Sequence, residues 1–386
     1  MQDNLVFLHT ADWQLGRPFA SVGNDSKRFR LQEQRIQTIR ELATRIEEFG
    51  AAFVIVAGDL FDSPHVTKAT VSAACSAIGS LKVPVIEIPG NHDHGGPGSI
   101  WEQEFFLREQ RQLAPNFQVL LKPEPLVLDS AVIFPAPLLR RHEPGDPTAW
   151  IRSAVLDPSL PPDLPRIVLA HGTIQGFGSQ QDDEDGAPAT VNWIDLSSLP
   201  ADAIDYIALG DWHGTKQVSL KAWYSGTPEI DRFPKGEGND PGNILKVTIS
   251  RGHAPVVEKI TTGHFAWKEL AFRFSDDASL DLFSARLNVM YRGSASFPAT
   301  SARTRMCRCL KSMSSHCSPS RSPTTPSISL GRIPANAPRA RKTIFPPTSG
   351  FSDFRYHSRQ AFRVFGAQTT GSGRGIFIEG TSRAGL

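Results

Sequence analysis

Polar residues in this chain gather in short clusters at the ends of apolar runs. Leu5-Val6-Phe7-Leu8-His9-Thr10 reads as one buried strand, Ala52-Phe53-Val54-Ile55-Val56-Ala57 as a second and Val83-Pro84-Val85-Ile86-Glu87-Ile88 as a third. Between the first two, Arg28 to Phe49 carries Leu31, Gln32, Arg35, Ile36, Ile39, Leu42, Ala43 and Ile46 at helical spacing and stops at Gly50, which predicts an amphipathic helix. A second helix is expected from about Lys68 to Leu81, and further strands at Val119 to Leu121, Ala131 to Phe134, Ile167 to Ala170 and Tyr206 to Leu209. Strand and helix in alternation imply an α/β fold with a mainly parallel sheet covered on both faces. Asn243 to about Phe274 alternates like antiparallel strands that close the domain or open a small cap. Gln180 to Ala187, with Asp182, Asp183, Glu184 and Asp185, reads as a solvated insertion, since it lacks the ligand spacing and glycine of a calcium loop.

After about Tyr291 the periodicity stops, as in Ser318-Pro319-Ser320-Arg321-Ser322-Pro323-Thr324-Thr325-Pro326. From Gly293 on, fourteen Lys and Arg residues face only Asp353 and Glu379, so the net charge of +2 hides a basic tail on an acidic body. A basic arm suggests nucleic acid. The composition also fits a disordered segment, or coding sequence read out of frame, in which case its basicity was never selected for binding. The expected division is therefore 1–265 as the main α/β domain, 266–292 as the start of a cap-like segment and 293–386 as the tail.

The remaining composition narrows the class. With 386 residues and 40% hydrophobic content the chain can bury a sizeable core. It has no apolar run long enough for a bilayer and no signal-like start, so a cytoplasmic protein without membrane attachment is expected. Cys75 lies alone in a helical pattern, and Cys307, Cys309 and Cys317 cluster late. That usage argues against a disulfide framework, and the irregular spacing around His316 argues against a zinc site.

The chemistry lies at the strand ends. Asp12, Asp59, Asn91, His171, Asp211 and His213 each follow a predicted strand, so a parallel sheet would gather them along one edge. A single Asp in such a place is commonly a helix cap. The ordered set of carboxylate, amide oxygen and imidazole instead makes a site for divalent metals, and an aspartate able to bridge suggests two of them.

Asp12-Trp13-Gln14, Gly58-Asp59-Leu60-Phe61-Asp62, Gly90-Asn91-His92-Asp93, Ala170-His171-Gly172 and Gly210-Asp211-Trp212-His213 resemble the ordered motifs of calcineurin-like metallophosphoesterases. His9-Thr10-Ala11-Asp12-Trp13 and Trp223-Tyr224-Ser225-Gly226-Thr227-Pro228-Glu229 narrow the resemblance to DNA repair exonucleases of the SbcD and YhaO type, over residues 1 to about 275. The resemblance implies a sandwich of two sheets flanked by helices, with a truncated or disordered C-terminal cap region. It implies two divalent ions bridged by Asp59, the first on Asp12, Gln14, Asp59 and His213 and the second on Asp59, Asn91, His171 and Asp211. A hydroxide between the ions would attack phosphorus in line, with His92 at the leaving oxygen and Asp62 as its acid partner. His65 and His94 are expected to be local or phosphate-contacting residues.

Two departures from the family pattern stand out. Gln14 occupies a position where the family usually carries histidine and Asp211 one where it often does, and an oxygen-rich ligand set favours Mn2+, with Mg2+ as the second choice, over zinc. The helices by which the family docks on an SMC-like ATPase are not readable after Tyr291. The implied partners are double-stranded DNA ends, that ATPase and a second copy of the chain, with Arg17, Lys27, Arg28, Arg140 and Arg141 available for a positive groove although helix-surface solvation also accounts for them. Two alternatives stand beside the exonuclease: a phosphatase or small phosphodiesterase of the same superfamily, and a catalytically weak subunit that binds DNA ends or the ATPase.

Overall fold

The computed structural model describes residues 4–174, 191–233, 239–273, 281–282, 285, 359–367 and 376–381. The acidic insertion at Gln180 to Ala187, the late cysteines with His316, most of the segment 274–292 and most of the basic tail lie outside the described residues. The chain divides into two compact units, Met1–Leu270 with Arg363–Glu379 and Ala271–Phe362 with Gly380–Leu386. All candidate site residues belong to the first. Of the second, strand residues at 271–273, 359–362 and 380–381 are described, together with 281, 282 and 285.

In chain order the first unit runs β1 (Leu5–Thr10), α1 (Asp25–Phe49), β2 (Val54–Val56), α2 (Lys68–Gly79), β3 (Val85–Glu87), α3 (Glu104–Leu113), β4 (Phe117–Val119), β5 (Leu126–Val127), β6 (Val132–Ala136), α4 (Ile151–Ala154) and β7 (Arg166–His171). It continues through β8 (Thr173–Ile174), β9 (Trp193–Ile194), β10 (Tyr206–Gly210), β11 (Lys216–Gln217), β12 (Ala222–Tyr224), β13 (Asn243–Ile249) and β14 (Val256–Thr261). Later described strands are β15 (Phe265–Arg273), β16 (Arg359–Ala367) and β17 (Ile376–Thr381), the last two within the tail.

Where the strand pattern alone implies one sheet, there are two. The first has the order β14-β13-β1-β2-β3-β4 and the second β11-β12-β10-β7-β6-β5. Strands β1 to β4 of the first sheet and β6, β7, β10 and β12 of the second run parallel; antiparallel strands close both edges of the second sheet and one edge of the first, whose other edge is the parallel β4. The expected burial of both strand faces holds, but each sheet has helices on one side and the other sheet on its opposite side.

Side-chain alternation along β1 shows the layering. Leu8 packs with Ile39, Leu42, Val71 and Ala74 on the helical side, whereas Phe7 packs with Phe53, Ile133, Ile167 and Tyr206 between the sheets. A fully buried side chain of this size contributes about 1.5–3 kcal/mol. His9 lies in the inter-sheet layer, where Tyr206 Oη and His9 Nδ1 are 2.9 Å apart and tie β1 to β10. A third apolar layer, with Phe134, Val168, Ile151 and Leu209, covers the outer face of the second sheet.

Helix α1 starts three residues before the sequence expectation because Asn24 caps it, its side chain accepting from the backbone N–H of Lys27, and it stops at Gly50, whose φ is +61°. Strands β5, β8, β9, β11 and β12 have only two or three residues, too few to show a period of two. Helix α3 buries Phe106 fully and packs Phe105 and Leu107 partly against the same core.

Candidate metal centre

The C-terminal ends of β1, β2, β3, β7 and β10 deliver Asp12, Asp59, Asn91, His171 and Asp211 to one edge. The turns that carry them are conformationally costly. Asp12, Gln14, Asp59 and Asp211 have φ of 53°, 41°, 57° and 103°, a region that non-glycine residues rarely adopt. Their backbones are held by cross-strand bonds: Asp12 N–H donates to Gly58 O, Gln14 N–H to Asp59 O and Leu15 N–H to Leu60 O.

Three oxygens converge on His171 Nε2. Asn91 Oδ1 lies at 2.8 Å, Asp59 Oδ1 at 3.6 Å and Asp211 Oδ1 at 3.8 Å. His171 Nδ1–H donates to Ala57 O at 2.8 Å, which fixes the ring so that Nε2 faces the cluster. Asp211 is itself steadied by Thr173, whose hydroxyl donates to Oδ2 at 2.8 Å. Burial opposes a charge on His171, but Asp59, Asp12 and Asp211 outweigh it and raise its pKa to about 9. Burial likewise pushes Asp12 well above the usual carboxylate range, with Asp59 and Asp211 adding to the rise. This density of negative charge suits a divalent cation, which would take the place of the imidazolium proton if held by these residues. The four donors therefore fit an oxygen-rich divalent site, and Asp12, Asp59 and His171 each offer a ligand atom within 4.8 Å of the others.

At the implied first position, the Asp12 carboxylate accepts from Asp211 N–H at 3.2 Å. Gln14 Nε2 and His213 Nε2 are 3.2 Å apart, and Gln14 Oε1 accepts from Arg17 at 2.6 Å. His213 Nδ1 lies 3.1 Å from Asp231. Burial and the Arg232 charge hold the His213 pKa down to about 4 against the pull of Asp231, which leaves a neutral ring.

His92 stands beside both positions. Its backbone N–H donates to Asp59 Oδ1 at 2.9 Å. The hydrogen bond expected between His92 and Asp62 is made by the Asp62 main-chain oxygen, 2.8 Å from Nδ1, while the Asp62 carboxylate faces Arg17 at 3.0 Å. Burial works against a charge on His92, but Asp59, the Asp62 carbonyl and the Asp62 carboxylate raise its pKa. Asp93 points away from the edge and clamps two loops, accepting from Phe61 N–H at 2.9 Å and Gly90 N–H at 2.8 Å. His65 is exposed and His94 is half-buried.

The motif glycines make room for these groups. A Cβ on Gly58 would sit 2.2 Å from His171 Nδ1, and one on Gly90 would sit 2.1 Å from Asp59 Oδ1 and 2.6 Å from its backbone nitrogen. Gly90→Ala is expected to lower stability by about 1–3 kcal/mol through overpacking and to weaken cation binding, because Asp59 cannot keep its place. Thermal unfolding with and without Mn2+ checks this: an unchanged metal-induced rise in Tm would contradict it.

Several residues of the site carried little or no sequence signal. Arg35 is buried in α1 and donates to Trp13 O, Asp12 O, Glu229 O and Thr227 Oγ1 at 2.8–3.1 Å. Glu229 accepts from Thr38 and from the backbone N–H groups of His264 and Phe265. The Trp223 to Glu229 segment thus braces the Asp12 turn. Asp231 and Arg232 follow it, and nothing in their local pattern marks them.

Two sheets stacked between helices, with acid, amide and imidazole groups from five strand ends meeting at one edge, define a metallophosphoesterase type of α/β sandwich. The chain belongs to the calcineurin-like phosphoesterase family, whose model matches residues 5–215. Members typically bind two divalent metal ions. Similar solved structures include TT1561 of Thermus thermophilus, at 12% identity over 67% of this chain and 100% of that one, with a TM-score of 0.40. A dimetal phosphatase from Danio rerio matches at 14% identity over 67% of this chain and 99% of that one, with a TM-score of 0.35. GAP50, the anchor in the inner membrane complex of Plasmodium, matches at 13% identity over 73% and 94%, with a TM-score of 0.35. No described helix is long and apolar enough to cross a membrane.

Proposed function

We propose that this chain is a divalent-metal-dependent phosphodiesterase that hydrolyses DNA ends, an exonuclease of the SbcD and YhaO type. The observation that carries the hydrolytic part is the convergence of Asp59, Asn91 and Asp211 on His171 Nε2 with His92 alongside. The DNA part rests on the motif resemblance at His9 to Trp13 and Trp223 to Glu229. A bound divalent ion supplies Lewis-acid neutralisation of phosphate charge, and the oxygen-rich donors favour Mn2+ or Mg2+ over zinc. His92 donates from Nδ1 to the Asp62 carbonyl, which leaves Nε2 to carry a proton toward a leaving oxygen. Burial works against that proton, while Asp59, the Asp62 carbonyl and the Asp62 carboxylate raise the His92 pKa and favour it. The same reading assigns 266–292 to a cap-like segment, an SMC-like ATPase and a second copy as partners, and the cytoplasm as location.

The test is hydrolysis of an end-labelled linear duplex with Mn2+, Mg2+ or chelator, beside a phosphate monoester and a small diester. Stepwise shortening that needs metal and falls about 10²–10⁴-fold in His92→Ala is expected. Monoester turnover without any shortening would replace the reading by a phosphatase of the same family. Binding of the duplex without turnover of any ester would replace it by a DNA-end-binding subunit.

A further inference from the structure

We propose that the Arg17 guanidinium takes over part of the role of the first ion, so that the chain holds one divalent cation tightly, on Asp59, Asn91, His171 and Asp211, and a second far more weakly. The inference rests on the metallophosphoesterase reading of the centre and is independent of the substrate.

Both side chains that would complete the first position are engaged elsewhere. Gln14 Oε1 accepts from Arg17 at 2.6 Å, and Gln14 Nε2 lies 3.2 Å from His213 Nε2. Arginine has donors only, so its contact fixes which end of the amide is oxygen. The amide N–H₂ then faces the His213 ring, whose Nδ1 lies 3.1 Å from Asp231 and 3.2 Å from Arg232. A histidine at position 14 would offer a nitrogen to an ion and no oxygen to Arg17. Glutamine does the reverse.

Arg17 is directed here by the backbone as well as by its side-chain partners. Gly16 turns the chain at a φ of +88°, Asp62 N–H donates to Leu15 O, and Gln32 donates to Arg17 O at 2.8 Å. From that anchor the guanidinium reaches Asp62 at 3.0 Å and Asp231 at 3.6 Å. A second cation follows, since Arg232 lies 3.2 Å from His213 Nδ1 and 3.3 Å from Asp231. An ion entering between Asp12 and His213 must turn the Gln14 amide over, give up its contacts to Arg17 and His213, and sit beside two positive side chains. The guanidinium charge, held beside Gln14 and Asp62, meanwhile stands close to where the charge of the first ion would fall.

Equilibrium dialysis of the full chain against Mn2+, with metal content and electron paramagnetic resonance of the bound ions, tests this without substrate. One tight Mn2+ per chain with the spectrum of an isolated ion is expected, any second ion binding roughly 10–100-fold more weakly. Gln14→His combined with Arg17→Met should bring in a second ion and a spin-coupled pair. Two tight, spin-coupled ions on the natural chain would overturn the proposal. Should the double variant fail to fold by circular dichroism, the natural chain's stoichiometry and spectrum decide alone. Absence of DNA cleavage with one tight ion would end the exonuclease reading and leave this inference standing, whereas absence of any bound ion would end both.

Discussion

Replacing Asp59 by asparagine is expected to abolish phosphoester hydrolysis, with a fall on the order of a thousandfold or more, while the fold survives. Asp59 lies in the turn after β2, its Oδ1 accepting from His92 N–H at 2.9 Å and lying 3.6 Å from His171 Nε2. Burial opposes its charge, yet His171 and His92 hold its carboxyl below the ordinary range, which favours the carboxylate. Asparagine keeps the size and one oxygen but removes the negative charge that both the cation and the two histidines use. Charge stabilisation by a bound ion amounts to several kcal/mol, and each ~1.36 kcal/mol is tenfold in rate. Hydrolysis of duplex and small esters, with circular dichroism as a control for folding, checks this. Activity within tenfold of the natural chain would remove Asp59 from the centre and the metal-dependent reading with it.

The largest stability effect is expected from Arg35→Met, a loss of about 3–5 kcal/mol measured by urea unfolding. Arg35 is 2% exposed and feeds three backbone carbonyls, those of Trp13, Asp12 and Glu229. Methionine fills much of the volume but leaves those buried acceptors without donors, at about 1–3 kcal/mol each before relaxation. Since two of the carbonyls belong to the Asp12 turn, cation affinity should fall along with stability. A loss below about 1 kcal/mol would mean that water replaces the guanidinium at little cost.

The turns at the strand ends were well marked in the sequence. A strand of four or more apolar residues followed by Asp, Asn or His has few other structural readings once five occur in order, and each observed turn lies within a residue or two of its expected place. The second sheet was legible only through resemblance, because parallel strands buried on both faces look alike whether a helix or another sheet covers them. Asp231 and Arg232 escaped, and Arg17 was read only as a groove or surface charge, for a different reason. Their importance comes from where Gln14 and His213 point, and side-chain direction at a tight turn leaves no periodic trace. Arg35 sat at a core position of the α1 pattern, and a lone arginine there is indistinguishable from one that reaches along the helix to solvent.

The left-handed backbone at Asp12, Gln14, Asp59 and Asp211 governs how the centre can be dissected. Alanine at any of the three aspartates would remove a candidate donor and at the same time place a residue with no αL preference in such a turn, so an alanine scan would mix the two effects. Asparagine tolerates that conformation. An amide series across the three aspartates therefore separates the chemistry of the donors from the architecture that presents them.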